Sequence, residues 1–227
     1  LLRDILEAAM KAPTCGNMQL YSVIVTKDQD NRKTLAEFHF NQPASVKAPV
    51  ILTICADFFR FSKWCNLKGA EPGYSNFHSF ITALTDAIIF SQQITTLAEM
   101  NGLGTCFLGT VNYNADKISE LLDLPELVVP VASIALGYPE EEGENTERLS
   151  IDAILHNEKY RHDTEEEIIA QFDVKENFPA NRGYVIENKK PSLAHVFTDI
   201  RYPKEMNEEV SESFLNLIKK KRFFKKD

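Results

Sequence analysis

Recognisable catalytic hardware is scarce in this chain. Its five histidines, His39, His78, His156, His162 and His195, fall in no His-x-x-x-His or His-Glu-x-x-His spacing, so no metal site is expected. Neither Gly-x-Ser-x-Gly nor Ser-x-x-Lys occurs, which removes the usual serine hydrolase arrangements. Cysteine is sparse as well. Cys15, Cys55, Cys65 and Cys106 make no Cys-x-x-Cys pair, and four cysteines in 227 residues build no disulfide framework. A reducing compartment, the cytoplasm, is the simpler setting. No run of about 18 uncharged apolar residues occurs, so neither a membrane span nor a membrane partner is expected. Positive charge is in deficit: 25 Lys and Arg against 33 Asp and Glu give a net charge of -8, which argues against a nucleic-acid partner. The exception is a basic cluster, Lys219, Lys220, Lys221, Arg222, Lys225 and Lys226, which reads as a solvated last helical turn and tail. The carboxylates over 140–147 show no partner pattern for acid/base work and read as a solvated loop.

The stretch around which the rest is organised spans 77–110. Phe77, Phe80, Ile81, Leu84, Ile88, Ile94 and Leu97 recur at helical spacing with small Ala83, Ala87 and Ala98 between them, which predicts one helix of about six turns. A helix apolar nearly all round belongs in a core or at a subunit interface. Asn101-Gly102 stops it, and 103–108 reads as a short buried strand whose Gly104 and Gly109 let the backbone press against something flat or bulky. Because Gly102-Leu103-Gly104 precedes a strand instead of following one, it is no dinucleotide phosphate loop.

Leu2, Ile5, Leu6, Ala9 and Met10 share one helical face, and Pro13 ends that helix. The pattern is helical from the first residue, with no initiator Met or N-cap before it, so a segment upstream of Leu1 is expected. A polar loop, Thr14-Cys15-Gly16-Asn17-Met18-Gln19, leads into a β-branched strand at 21–26. A helix over 28–40, broken at Asn41-Gln42-Pro43, precedes a continuous apolar strand at 49–56, the signature of burial on both faces. Phe58, Phe59, Phe61 and Trp64 share the next segment with Arg60, Lys63 and Lys68, as in a partly exposed helix or lid. A short helix at 116–122 takes Asn114 as N-cap. The strand at 127–137 places Pro130 near its start or at an edge. Beyond Ser150 the strand pattern stops: a polar helix at 163–172, an irregular segment at 178–191 and a last helix at 204–221 form an excursion with little core of its own.

With no acid, base, nucleophile or metal set in view, either the chain is not an enzyme or a cofactor carries the chemistry. Three stretches bear on that choice: Ala12-Pro13-Thr14-Cys15-Gly16-Asn17-Met18-Gln19, the helix followed by Gly102-Leu103-Gly104-Thr105-Cys106-Phe107-Leu108-Gly109, and Leu136-Gly137-Tyr138-Pro139 with Arg148 ahead. In this order they resemble the flavin-dependent nitroreductase family, strongly over 1–150 and loosely beyond. The long C-terminal excursion is similar to the oxygen-insensitive NADPH nitroreductase and flavin reductase branch.

The resemblance implies a single nitroreductase-like α+β domain over 1–227, with a mixed central sheet flanked by helices and the 151–227 extension wrapping the partner subunit of a homodimer. It further implies FMN at the subunit interface in sites built from both chains, NADPH or NADH as co-substrate, and a small aromatic electron acceptor. Carried over by position, Thr14, Cys15, Gly16 and Asn17 line the flavin and Gln42 offers an amide to the isoalloxazine edge. Leu108, Gly109 and Thr110 bring the backbone to the ring, with the Gly109 N–H as donor toward N5, and Arg148 is the cation for the phosphate. The family's Arg-x-Ser-x-Arg segment would lie before Leu1, Thr146 stands where a Lys is common, and Asn112 stands where the NADPH-preferring branch often has an Arg. Phe61 and Trp64 are candidates for a lid. Two classes stay open at this point: an FMN oxidoreductase passing electrons from NAD(P)H to nitroaromatics, quinones or free flavin by a ping-pong mechanism, and a non-catalytic dimeric flavin-binding or interaction protein on the same fold.

Overall fold

The 24-residue helix α5, Phe77–Met100, sets the frame. It starts where the Asn76 side chain accepts a hydrogen bond from Ser79 N at 2.9 Å, and it stops where Gly102 takes φ 77° and Leu103 N reaches back to Ala98 O at 3.0 Å. Both ends follow from local chemistry, a side-chain cap and a left-handed glycine. The computed structural model describes residues 1–141, 143 and 146–224; Glu142, Glu144 and Asn145 of the acidic run and Lys225 and Lys226 of the basic run lie outside the described residues. Among those described, no helix is long and apolar enough to cross a membrane.

The chain divides into two compact units, Leu1–Glu140 with Val210–Asp227, and Glu141–Glu209. The first holds a four-stranded sheet, β1 (Tyr21–Thr26), β2 (Val50–Asp57), β3 (Gly104–Phe107) and β4 (Val128–Gly137), in the order β1-β2-β4-β3. Every pairing among the described residues is antiparallel, where a mixed sheet was expected. Alternation of strands with helices shows that the chain leaves and re-enters the sheet, but not in which direction it returns. Between β1 and β2 it passes through two helices, α2 (Gln29–Phe38) and the five-residue α3 (Pro43–Lys47), and comes back reversed. The α+β reading itself holds. Pro130 stands near the start of β4 opposite a bulge at Ile54/Cys55, beyond the reach of β3, which pairs only with 134–137. The missing donor therefore interrupts no regular ladder on either side.

Period-two alternation divides the sheet between two layers. Leu52, Ile54, Ala56, Ala132 and Ile134 pack against Phe80, Ala83, Ala87, Phe90 and Ile94 of α5 and against Ile5 and Ala9 of α1 (Leu2–Ala9). On the other face Ile51 meets Leu35 of α2, Val111, and Ile118 of α6 (Ala115–Leu121). Asn114 precedes α6 without a side-chain cap; its Nδ2 donates instead to Phe38 O at 2.7 Å, tying α6 to the end of α2. An aromatic helix, α4 (Phe59–Leu67), follows β2.

Among the described residues the second unit carries a 3-10 turn, Ile151–Ala153, then the helices α7 (Glu165–Glu176), α8 (Pro179–Glu187) and α9 (Leu193–Val196), and then a π-turn. Here α8 replaces the irregular segment expected at 178–191. Pro179 sits at the first helical position, where a proline initiates instead of breaking. Among the described residues of this unit only Asn181, Leu193 and Val196 are buried, so its own core is small. The last helix, α10 (Lys204–Lys220), places Leu217 and Ile218, with Phe223 just beyond it, in the core of the first unit. The described part of the basic run is solvated as expected, Lys219, Lys220 and Arg222 being exposed, and it also makes surface ties: Lys220 meets Glu120 at 3.4 Å, Arg222 meets Glu126 at 2.7 Å, and Lys221 Nζ donates to Leu124 O.

Candidate active site

The loop at 14–20 is shaped by three left-handed residues, Gly16, Asn17 and Gln19, with φ of 54°, 55° and 55°. Only a well-anchored backbone keeps two non-glycine residues there. The anchor is Asp86, buried on α5. Its carboxylate accepts from Thr14 Oγ1 at 2.5 Å, Cys15 N at 2.9 Å and Leu20 N at 3.3 Å. The Thr14 hydroxyl in turn accepts from Gln19 N at 2.9 Å, so the loop closes on itself around one hydroxyl. Arg60 of α4 braces the exit by donating to Gln19 O at 3.0 Å and Tyr21 O at 2.9 Å, itself held 3.6 Å from the buried Asp57. Cys15, Gly16 and Asn17 face solvent. Sequence reading found the loop and missed both anchors. The signal for Asp86 was present: it is the only Asp, Glu, Lys or Arg over 77–98.

Gln42, Leu108, Gly109 and Thr110 belong to a second cluster. Leu108 is buried and its N–H bonds Ser133 O at 2.8 Å, continuing the β3 ladder one residue beyond the strand. The chain then turns into a 3-10 segment, Gly109–Tyr113. As its first residue Gly109 has an N–H with no acceptor inside the turn. Gly109 is exposed, its φ is not left-handed, and a Cβ built on it would meet nothing within 4 Å. Gly104 and Gly137 differ: there a Cβ would meet Pro139 at 3.3 Å and Pro49 at 2.7 Å, so those glycines serve the chain's own packing. Nothing inside the fold requires a glycine at 109.

Thr110 Oγ1 lies 2.8 Å from Nδ1 of His39, the fully buried residue that ends α2. Burial pushes the His39 imidazole down from 6.5 to about 4, because the cation would have to leave water. From His39 the chain turns through left-handed Phe40 and Asn41, at φ 56° and 51°, to Gln42 at the head of α3, where Gln42 O accepts from Ser45 N at 2.9 Å and Ser45 Oγ at 2.7 Å. The Phe40 ring meets Tyr113 edge-on at 5.8 Å. The turn after β3 and the segment carrying Gln42 are thus brought together. Among the described residues no hydrogen bond joins this cluster to the loop at 14–20, which is anchored in the α5 layer.

Arg148 lies in the second unit, exposed, with its guanidinium on Thr146 Oγ1 and, at 3.0 Å, on Glu147 O. Of the lid candidates, Phe61 packs into an aromatic group with Phe58 and Tyr74 at 6.4 and 5.6 Å, while Trp64 is half exposed.

Two separate clusters therefore stand on an antiparallel α+β sheet: a glycine turn tied to the segment carrying Gln42, and a polar loop anchored on Asp86. Comparison with known proteins supplies the family. The profile of the Nitroreductase family matches residues 1–138. The protein named FMN reductase [NAD(P)H] of Bacillus subtilis (strain 168) is 31% identical over 217 residues, covering 89% of this chain and 84% of that protein. A crystal structure of a protein from Bacteroides fragilis NCTC 9343 superposes with a TM-score of 0.97 at 45% identity over 99% of this chain and 92% of that one. The structure of B. megaterium NfrA2 superposes with a TM-score of 0.81 at 28% identity, covering 99% and 89%. The chain belongs to the nitroreductase family.

Proposed function

We propose that this chain is an NAD(P)H-dependent flavin oxidoreductase that holds FMN against the Gly109 turn. The observation that carries the reading is a glycine the fold does not need: Gly109 is neither crowded nor left-handed, yet it presents an N–H beside open space. Gly73, Gly143 and Gly183 are as uncrowded, but Gly109 stands where β3 ends and a 3-10 turn begins, with its N–H unspent, and a flat group outside it accounts for the missing side chain there. Bound FMN supplies the two-electron redox chemistry that no side chain here can provide. Toward that group the Gly109 N–H is the donor for N5, Gln42 offers its amide to the ring edge, and Leu108 fixes the strand end from which the turn starts. Thr14, Cys15, Gly16 and Asn17 line the ring from a second direction, and Arg148 pairs with the phosphate. The relative named an FMN reductase using NAD(P)H supports turnover over a non-catalytic flavin binder.

The finer reading is a homodimer in which 1–227 serves one FMN domain and each site draws on both chains. The two clusters support this, since one is anchored on the α5 layer and the other on the α2 and α6 layer of a single chain. One open face receives NAD(P)H and then a nitroaromatic, a quinone or free flavin, so the two exclude each other. The chain's own residues orient and stack; none is required to move a proton.

The test begins with the purified protein, which should release a flavin with the FMN chromatogram on denaturation and lose its yellow colour with NAD(P)H. Recovery of FAD, or of no flavin after reconstitution, sinks the proposal. Initial rates with both substrates varied should give parallel double-reciprocal lines; intersecting lines would replace the single face with a ternary complex.

A further inference from the structure

We propose that His39 is the positioning residue of the Gly109 turn: its hydrogen bond to Thr110 fixes the direction of the Gly109 N–H, a role that rests on the reading of that N–H as the flavin donor. The turn leaves the strand end, where Leu108 N is fixed on Ser133 O at 2.8 Å, and is tied from outside by one side chain. Val111 N reaches Leu108 O at 3.2 Å, the long end of the range, while the His39 Nδ1 to Thr110 Oγ1 contact is 2.8 Å. The side-chain tie is the tighter of the two, and it attaches to the residue next to Gly109.

A buried imidazole is an expensive way to fill space. His39 Nε2 has no hydrogen-bond partner among the described residues, and an orphaned buried polar atom destabilises a fold. Leucine in the same place would bury a similar volume and leave nothing unpaired. The histidine offers what leucine cannot, a hydrogen bond aimed at Thr110 from a rigid ring that two neighbouring ties hold in place. Asn114 Nδ2 donates to Phe38 O at 2.7 Å and Phe40 packs on Tyr113. Both of these bind the end of α2 to the same turn on either side of His39, so the ring cannot shift without the turn. Fully buried, with Nδ1 2.8 Å from Thr110 Oγ1, the ring acts on the turn through Thr110.

The test compares His39→Leu, which removes the tie, with His39→Asn, whose amide stands near the Nδ1 position and keeps it. In the apoprotein, amide exchange at Val111, whose N–H donates to Leu108 O across the turn, should quicken by about threefold to tenfold in His39→Leu, the range for one lost hydrogen bond. It should return to the parent rate in His39→Asn. FMN affinity should fall by the same factor and recover the same way, and in the loaded protein kcat should fall with KM for NAD(P)H unchanged. Thr110→Val removes the other end of the bond and should reproduce the exchange effect if His39→Leu fails to fold. Unchanged exchange in both variants would overturn the tie. Faster exchange with unchanged FMN affinity would overturn the assignment of Gly109 to the flavin, and with it the role of His39, while leaving the mechanical contact intact.

Discussion

At the scale of single residues, Gly109 and His39 separate what the fold needs from what the site needs. Because a Cβ at 109 meets nothing and the backbone is not left-handed, Gly109→Ala should stabilise the apoprotein slightly, by about 0.5 kcal/mol, through a less mobile unfolded chain. The same methyl would stand against the flavin and should weaken FMN binding about tenfold, the effect of overpacking a contact by a little over 1 kcal/mol. Calorimetry of the apoprotein and an FMN titration read the two effects separately; a destabilised apoprotein would mean the fold does use this glycine. His39 gives a pH signature of definite sign. Its folded pKa is about 4 against 6.5, so the unfolded chain takes the proton first, and stability falls as pH drops from about 6.5 to about 4. Between pH 7 and pH 5 this residue should cost about 2 kcal/mol. Urea unfolding of the parent and of His39→Asn at both pH values would show it as a difference between the two slopes, and identical slopes would contradict it.

At the scale of elements, α5 works as both core and anchor. Its apolar stripe fills one face of the sheet, and its one buried carboxylate, Asp86, organises a loop some seventy residues away in sequence. Removing that carboxylate leaves a hydroxyl and two backbone N–H groups without their acceptor, so Asp86→Ala should cost about 3 kcal/mol in urea unfolding. The freed loop should also expose Cys15 to faster alkylation, while buried Cys55, whose thiol is pushed up by burial, stays unreactive in the folded state. A loss under about 1 kcal/mol with unchanged Cys15 reactivity would show the loop to be held by its own turns.

At the scale of the whole molecule, the side of α5 opposite the sheet leaves Ile81, Ile88 and Ile89 exposed in a single chain. Ile151, Ile154 and Ile186 of the second unit are more than 60% exposed. Exposed isoleucines along one helix, as on α5, mark an interaction face. Light scattering should give twice the chain mass of 25.8 kDa, and Ile88→Glu should yield a monomer that no longer retains FMN. A monomeric parent, or a monomer that keeps its flavin, would refute the shared site. Arg148 is tested at this scale too. Its present partners, Thr146 and the Glu147 carbonyl, are exposed and contribute little, so Arg148→Ala should leave stability alone and weaken FMN binding by about 1.5–3 kcal/mol. An unchanged dissociation constant would return Arg148 to the surface.

What the sequence determined by itself was much of what acts within a turn or a strand period, with α8 and the Asn114 cap as local misses. The bounds of α5 follow from an Asn cap, apolar spacing and a left-handed glycine, and buried β2 and β4 from apolar runs, with Pro130 placed near a strand start; β3, expected to be buried, is an edge strand with Cys106 and Phe107 exposed. The ordered glycine and loop motifs that mark the family are local as well. Tertiary structure alone decided the rest. It reversed the strands into an antiparallel sheet, because a returning chain can enter in either direction. It drew the basic run onto Glu120 and Glu126. It joined Asp86 to Thr14 across 72 positions and His39 to Thr110 across 71. No period in a sequence encodes such pairings; they form because packing two layers on one sheet buries these polar groups together, and each must then find its partner there.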